Sequence, residues 1–138
     1  MAGRYYLDAS AYLALLLGER GSAEIELEIA KGEVCSSVLL VIETVRNLIR
    51  LSREGMLSAD QGQACLARVD QDLEVIALRD LTLDLSRGLE VPVVSTPRTL
   101  DLVHLRTARW FHAQAPLTRF VTLDKALAKA AREFGLPV

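Results

Sequence analysis

The feature that most constrains this chain is a strand-like run that ends in a carboxylate and gives way to a helix, and it occurs twice. Tyr6-Leu7-Asp8-Ala9-Ser10-Ala11 and Thr122-Leu123-Asp124-Lys125-Ala126-Leu127 each put an Asp where an apolar extended segment meets a helical one. Between them, short β-like runs alternate with helical patterns. Arg4 to Asp8 reads as a strand, followed by a helix from about Ser10 to Leu17 that closes at Gly18 and a second from about Ser22 to Ala30 that ends at Gly32. Glu33 to Ser36 makes a short strand, Val38 to Arg53 a long helix stopped by Gly55, and Ser58 caps a helix running to about Val69, before the apolar run Leu73 to Ile76. The stretch from Leu81 to Thr99 supports two readings: Leu81, Leu85 and Leu89 suggest a helix, Val91 to Val94 extended chain, and Pro92 and Pro97 interrupt both. Thr99 to Phe111 is helical by pattern. Arg119 to Asp124 is again a strand ending in an acid, and Lys125 to Phe134 is a helix ended by Gly135 and Pro137. Strands separated by helical crossovers pair in parallel and are covered on both faces. The fold class expected is therefore α/β.

Length and composition fit one domain spanning 1–138: half the residues are hydrophobic (51%) and the net charge is only -2, which supplies a core and excludes a disordered tail. No repeat, low-complexity stretch or Pro/Gly-rich linker divides it. Cys35 and Cys65 are too few and too far apart for a disulfide framework or a zinc site, so both are expected as free thiols. The longest apolar runs, Ala11 to Leu17 and Val38 to Ile42, fall far short of the ~20 residues that span a bilayer. Arg4 and the Ala11 run imitate a secretion signal, but Asp8 interrupts it and no small-x-small cleavage site follows. The expected setting is the cytoplasm, with no membrane association.

In an open parallel sheet, ligands bind beyond the carboxyl ends of the strands, so Asp8 and Asp124 are both candidates. The simpler reading of either alone is a helix N-cap. Two further acids change the balance. Glu43 follows the apolar run Val38 to Ile42, and Asp101 sits in the first turn of the Thr99 helix between leucines, where the helix dipole alone would also favour it. Four carboxylates share one chemical preference: hard oxygen ligands without sulfur suit Mg²⁺ or Mn²⁺. Crowded without a cation, they would repel one another and titrate as a cluster. A divalent ion at such a site polarises a phosphoryl oxygen and activates water, which makes phosphodiester hydrolysis the natural reaction.

These residues resemble a known family. Tyr6 to Ala11, Ser36 to Glu43, Thr99 to Ala108, Phe120 to Asp124 and the ending Ala130 to Val138 look like the PIN domain, and in particular its VapC toxin branch. The likeness runs the length of the chain and is most specific in the Asp101 helix and the Phe120 to Val138 ending. It implies a three-layer sandwich with a central, mainly parallel twisted sheet. It also implies a Mg²⁺- or Mn²⁺-dependent endoribonuclease, with Asp8, Glu43, Asp101 and Asp124 matching the acidic quartet, and Ser10 and Thr122 matching its supporting hydroxyls. Leu102, Val103 and Arg106 depart mildly from the usual pattern. The resemblance further implies a toxin of a type II toxin–antitoxin system, with a cognate VapB-type antitoxin, a homodimeric assembly and structured RNA, transfer or ribosomal, as substrate.

Other residues carry weaker signals. Arg46, Arg50 and Arg53 recur with Glu43 within about 80° on a helix of 3.6 residues per turn, where guanidinium groups could hold RNA phosphates; a solvated face is the equal alternative. Arg106 is a further candidate beside Asp101. His104 reads as structural or peripheral, since a bound metal can itself activate water, and Ser10 and Thr122 as hydrogen bonders to the acids rather than nucleophiles. Two competing classes remain: a receiver-like signalling module, which would want an acidic pair beside Asp8, and a PIN-like domain that binds RNA without cutting. The acidic balance excludes neither RNA reading. Without the proposed quartet, fourteen acids face sixteen Lys and Arg, and a bound cation shifts the site further toward phosphate.

Overall fold

Tyr5, Tyr6 and Leu7 decide how the domain is layered. In the computed structural model, which describes residues 2–87 and 98–138, they lie in β1 (Arg4–Leu7), and successive side chains of a strand leave opposite faces. Tyr6 enters one apolar cluster with Leu105, Phe111, Phe120, Leu127 and Phe134, whereas Tyr5 and Leu7 enter a second with Tyr12, Leu15, Ile25, Leu40 and Val69. The first cluster lies under α6 (Thr99–Gln114) and α7 (Lys125–Glu133). The second lies under α1 (Ala9–Leu17), α2 (Ser22–Ile29), α3 (Leu39–Arg53) and α4 (Ala59–Asp72). The result is the expected α/β arrangement of helices, sheet and helices in three layers.

β1 pairs in parallel with β2 (Glu33–Ser37) on one side and β4 (Arg119–Val121) on the other, and β2 pairs with β3 (Ala77–Arg79), giving the order β3-β2-β1-β4. The chain steps outward from β1 to β3. It then returns through α5 (Leu83–Ser86) and α6 to lay β4 against the other edge of β1. The order therefore reverses between β1 and β4, and the carboxyl ends of these two strands flank the crevice where parallel sheets bind ligands.

Local chemistry sets the boundaries. β1 and β4 stop one and three residues before Asp8 and Asp124 because both acids turn the chain into helices as side-chain N-caps. Gly18 closes α1 in the left-handed conformation (φ 63), which a residue without Cβ adopts readily, and Ser58 and Gln61 form a reciprocal capping box at α4. α4 runs past Val69 to Asp72, whose carboxylate takes the Tyr12 hydroxyl at 2.8 Å. The apolar run after it is a turn, with Leu73 and Ile76 covering the second cluster, so the third strand begins only at Ala77. Of the ambiguous stretch, the helical reading survives as the single turn of α5; Leu89, Pro92, Pro97 and the extended reading of Val91 to Val94 lie outside the described residues. Cys35 and Cys65 are free thiols, and burial pushes that of Cys35 up to about 12. Among the described residues no helix is long and apolar enough to cross a membrane.

Candidate active site

Asp8 is the most enclosed of the four acids, at 4% exposure. As the N-cap of α1 it takes the Ala11 N–H on Oδ1 at 3.0 Å, while Thr122 donates to Oδ2 at 2.7 Å and Ser10 lies 2.8 and 2.9 Å from the two oxygens. Ser10 and Thr122 tie this carboxylate to the neighbouring strand end. Their hydroxyls are 3.2 Å apart, Ser10 accepts the Leu123 N–H, and Thr122 accepts the Asp124 N–H. Burial pushes the Asp8 carboxyl up from its usual 3.8, opposed by these hydrogen bonds and by nearby His104. The fold thus holds an acid where ionisation is costly without a cation.

Asp124 caps α7 with Oδ1, which accepts the Ala126 and Leu127 N–H groups at 2.9 and 3.1 Å. Its Oδ2 takes the Arg98 guanidinium at 2.6 Å, and the same guanidinium reaches Asp101 Oδ2 at 2.7 and 2.8 Å through its two nitrogens. Arg98 therefore bridges two acids from different helices. It holds the Asp124 carboxyl below the ordinary range, and the two carboxylates in turn raise Arg98. Asp101 is buried on the first turn of α6. The N-cap readings of Asp8 and Asp124 are right, yet each cap uses one oxygen and leaves the other to a neighbour in the crevice.

Glu43 lies on α3, where Oε1 is 2.6 Å from Nε2 of His104; the other ring nitrogen, Nδ1, is 2.7 Å from the Tyr6 hydroxyl. His104 and Tyr6 are buried, at 2% and 0% exposure. Burial raises the Tyr6 phenol well above its usual 10. His104 is thus the link between the α3 acid and the strand that carries Asp8.

Asp8 and Asp124 cap the helices that follow β1 and β4, Ser10 and Thr122 join these two strand ends, Arg98 ties Asp101 to Asp124, and Glu43 reaches β1 through His104 and Tyr6. The arginines divide. Arg50 shares a cleft of about 240 Å³ with Ser10, Asn47 and Asp124, although its guanidinium also pairs with Glu54 at 3.0 Å. Arg46 and Arg53 are exposed on the same helix. Arg106 is half-buried and donates to the carbonyls of Leu85 and Ser86, bracing α5 against α6. A roomier cavity of about 620 Å³ lies under α1, α2 and α4, away from the acids. Sequence reading missed Arg98 and Tyr6. Arg98 stands one helical turn before Asp101, and Tyr6 shares the Asp8 side of β1 by the two-residue period.

The donor set suits a hard divalent cation, and a guanidinium already bridges two of the carboxylates as a stand-in charge. Among the described residues, no three His, Cys, Asp or Glu side chains stand close enough together to hold a metal ion. Arg98 engages the Oδ2 atoms of both Asp101 and Asp124.

Fold and site together define a class: a parallel α/β domain with acidic side chains capping the helices that leave the two strand ends where the strand order reverses. The PIN domain family model matches residues 5–133, and the chain belongs to that family. No curated protein sequence matches it significantly. Among solved structures it is similar to VapC20 of Mycobacterium tuberculosis, described as a sarcin–ricin loop cleaving toxin, with a TM-score of 0.57 and 17% identity over 90% of this chain and 92% of that one. At that identity the likeness establishes the fold.

Proposed function

We propose that the protein is a Mg²⁺- or Mn²⁺-dependent endoribonuclease of the VapC toxin type, acting on structured RNA and held in check by a VapB-type antitoxin. The observation that carries this reading is the network at the strand-order reversal, in which Ser10 and Thr122 join the Asp8 and Asp124 strand ends, Arg98 bridges Asp101 and Asp124, and His104 holds Glu43. Asp8, Asp101 and Asp124, with Glu43, would hold the metal. When bound, a divalent ion polarises the phosphoryl oxygen and lowers the pKa of water. The chain's own contribution is positional. Ser10 and Thr122 fix the Asp8 carboxylate, and the two N-capped helices α1 and α7 hold their acids at fixed sheet depth. Arg50, with exposed Arg46 and Arg53 on its helix, provides forks for flanking phosphates, and the cleft beside Asp124 gives the backbone a path. Titrated against end-labelled transfer RNA and a sarcin–ricin loop hairpin, the protein should cut at discrete positions in Mn²⁺ or Mg²⁺ and stop on chelation. Failure to cut any structured RNA with either ion would overturn the assignment. The antitoxin and the homodimeric assembly are carried over from the VapC likeness, and co-purification of a small inhibitory protein with the chain expressed in its native cells checks the first.

A metal held by Asp101 and Asp124 would compete with Arg98 for their carboxylates. The Arg98 side chain is half exposed, and such pairs contribute about 0.2–1 kcal/mol. Arg98→Gln should therefore tighten Mn²⁺ binding by up to about fivefold, as read by calorimetry. Weaker binding in that variant would mean that Arg98 helps to build the site rather than competing for it.

A further inference from the structure

We infer that His104 is a positioning residue, held between Tyr6 and Glu43 so that it donates to Glu43 and fixes one carboxylate oxygen while leaving the other available to a cation. The inference rests on the nuclease reading above, but its geometry stands by itself. A carboxylate oxygen accepts, so the 2.6 Å approach of Nε2 to Glu43 Oε1 requires the ring proton on Nε2. Nδ1 then presents a lone pair, and the Tyr6 hydroxyl at 2.7 Å donates to it. The Tyr6 hydroxyl is buried beside Ser36 and Thr107, whose own protons go to the carbonyls of Leu7 and Val103. Its ring is clamped as well, stacked on Phe120 at 5.1 Å and 7° and meeting the His104 ring edge-on at 5.8 Å.

The consequence is directional. Glu43 is partly buried on α3, with its side chain 18% exposed, and left unrestrained there it would sample several rotamers. His104 is 2% exposed and rises from α6 one turn after Asp101, so a single buried ring sets the distance between the acid of α3 and the acid of α6. Partners of this kind, one bond removed from a metal ligand, commonly change metal affinity by about 10–100-fold.

Tyr6→Phe removes the hydroxyl and keeps the stacked ring, which makes it the decisive variant. In ¹⁵N-histidine-labelled protein in mildly alkaline buffer, wild-type His104 should show a protonated Nε2 and a pyridine-like Nδ1, and Tyr6→Phe should shift the Nδ1 resonance downfield because its hydrogen-bond donor is lost. The same variant should lose about tenfold in Mn²⁺ affinity by calorimetry and lose kcat while KM for RNA holds. His104→Gln, whose amide can still donate to Glu43, should recover part of what His104→Ala loses. A protonated Nδ1 in the wild type, or a Tyr6→Phe protein with unchanged Mn²⁺ affinity and kcat, overturns the inference. If wild-type protein binds no Mn²⁺ and cuts no RNA, the nuclease reading falls with it, whereas Mn²⁺ binding that ignores Tyr6→Phe sinks the positioning role alone.

Discussion

Asp8→Asn is expected to abolish metal-dependent RNA cleavage, by at least about 100-fold since even indirect partners of metal ligands cost 10–100-fold, and at the same time to raise the melting temperature of the metal-free protein. The two effects have one cause. Asp8 is buried on a sheet end with its carboxyl pushed above 3.8 by desolvation, so the folded state binds its proton more tightly than the unfolded state does. For an acid raised in this way, stability falls as pH rises from the ordinary carboxylate value through the elevated one, and the penalty is complete above that window. Asn carries no such penalty and keeps the side-chain oxygen that caps Ala11. The stability difference between variant and wild type should therefore be absent below about pH 3.8 and grow to a plateau toward neutrality. Mn²⁺ should invert the order, because a ligand bound only by the native state stabilises it by about 2.7 kcal/mol at a hundredfold excess over Kd; wild type gains this and Asp8→Asn does not. A variant that melts lower than wild type without metal would show that the charge of Asp8 serves the helix cap rather than a cation.

Asp124 carries the opposite sign within the same crevice. Arg98 depresses its carboxyl, so its contribution to stability is present above the ordinary carboxylate range and disappears as pH falls through the lowered value. The site thus combines an acid that strains the metal-free fold with one that an internal cation already satisfies.

The sequence exposed this arrangement unevenly, and the reasons are physical. Asp8 and Asp124 were legible because the change from a two-residue to a helical period happens at the acid itself, and that change is local. That both lie at the carboxyl ends of parallel strands followed from the crossover rule, while the pairing of those strands with each other is seen only in the sheet order. Glu43 and Asp101 were legible from their positions beside apolar runs on helices. β3 was hidden because its pairing spans only Ala77 to Arg79, opposite Cys35 to Ser37, too short to imprint a pattern. The bond from Tyr6 to His104 and that from His104 to Glu43 join residues 98 and 61 positions apart. No periodicity encodes a contact of that separation; it arises only when α6 is laid across the sheet. Arg106 shows the reverse failure. It stands one turn past His104 and looks available to phosphate, but folding turns its guanidinium toward the end of α5.

Phe120→Ala should be the most damaging single change to the fold, costing about 3–5 kcal/mol of a total that for such domains is about 5–15 kcal/mol. Phe120 is fully buried at the centre of β4, stacked on Tyr6 and enclosed by the α6 and α7 side chains of the first cluster. Helices and sheet can close only partly around the void left by a benzyl group. Urea unfolding followed by circular dichroism should show the midpoint shifted down with little change in slope, whereas a loss below about 1.5 kcal/mol, the size of a volume-conserving swap, would mean that the layer collapses onto the gap. The site should register the same loss. Tyr6 is held flat by Phe120, and Tyr6 holds His104, so the fraction that stays folded should bind Mn²⁺ more weakly even though no ligand has been altered. Phe120→Leu separates the two effects: it refills most of the volume without a flat face, and it should recover much of the stability while leaving the Tyr6 ring less restrained and the metal affinity still below wild type.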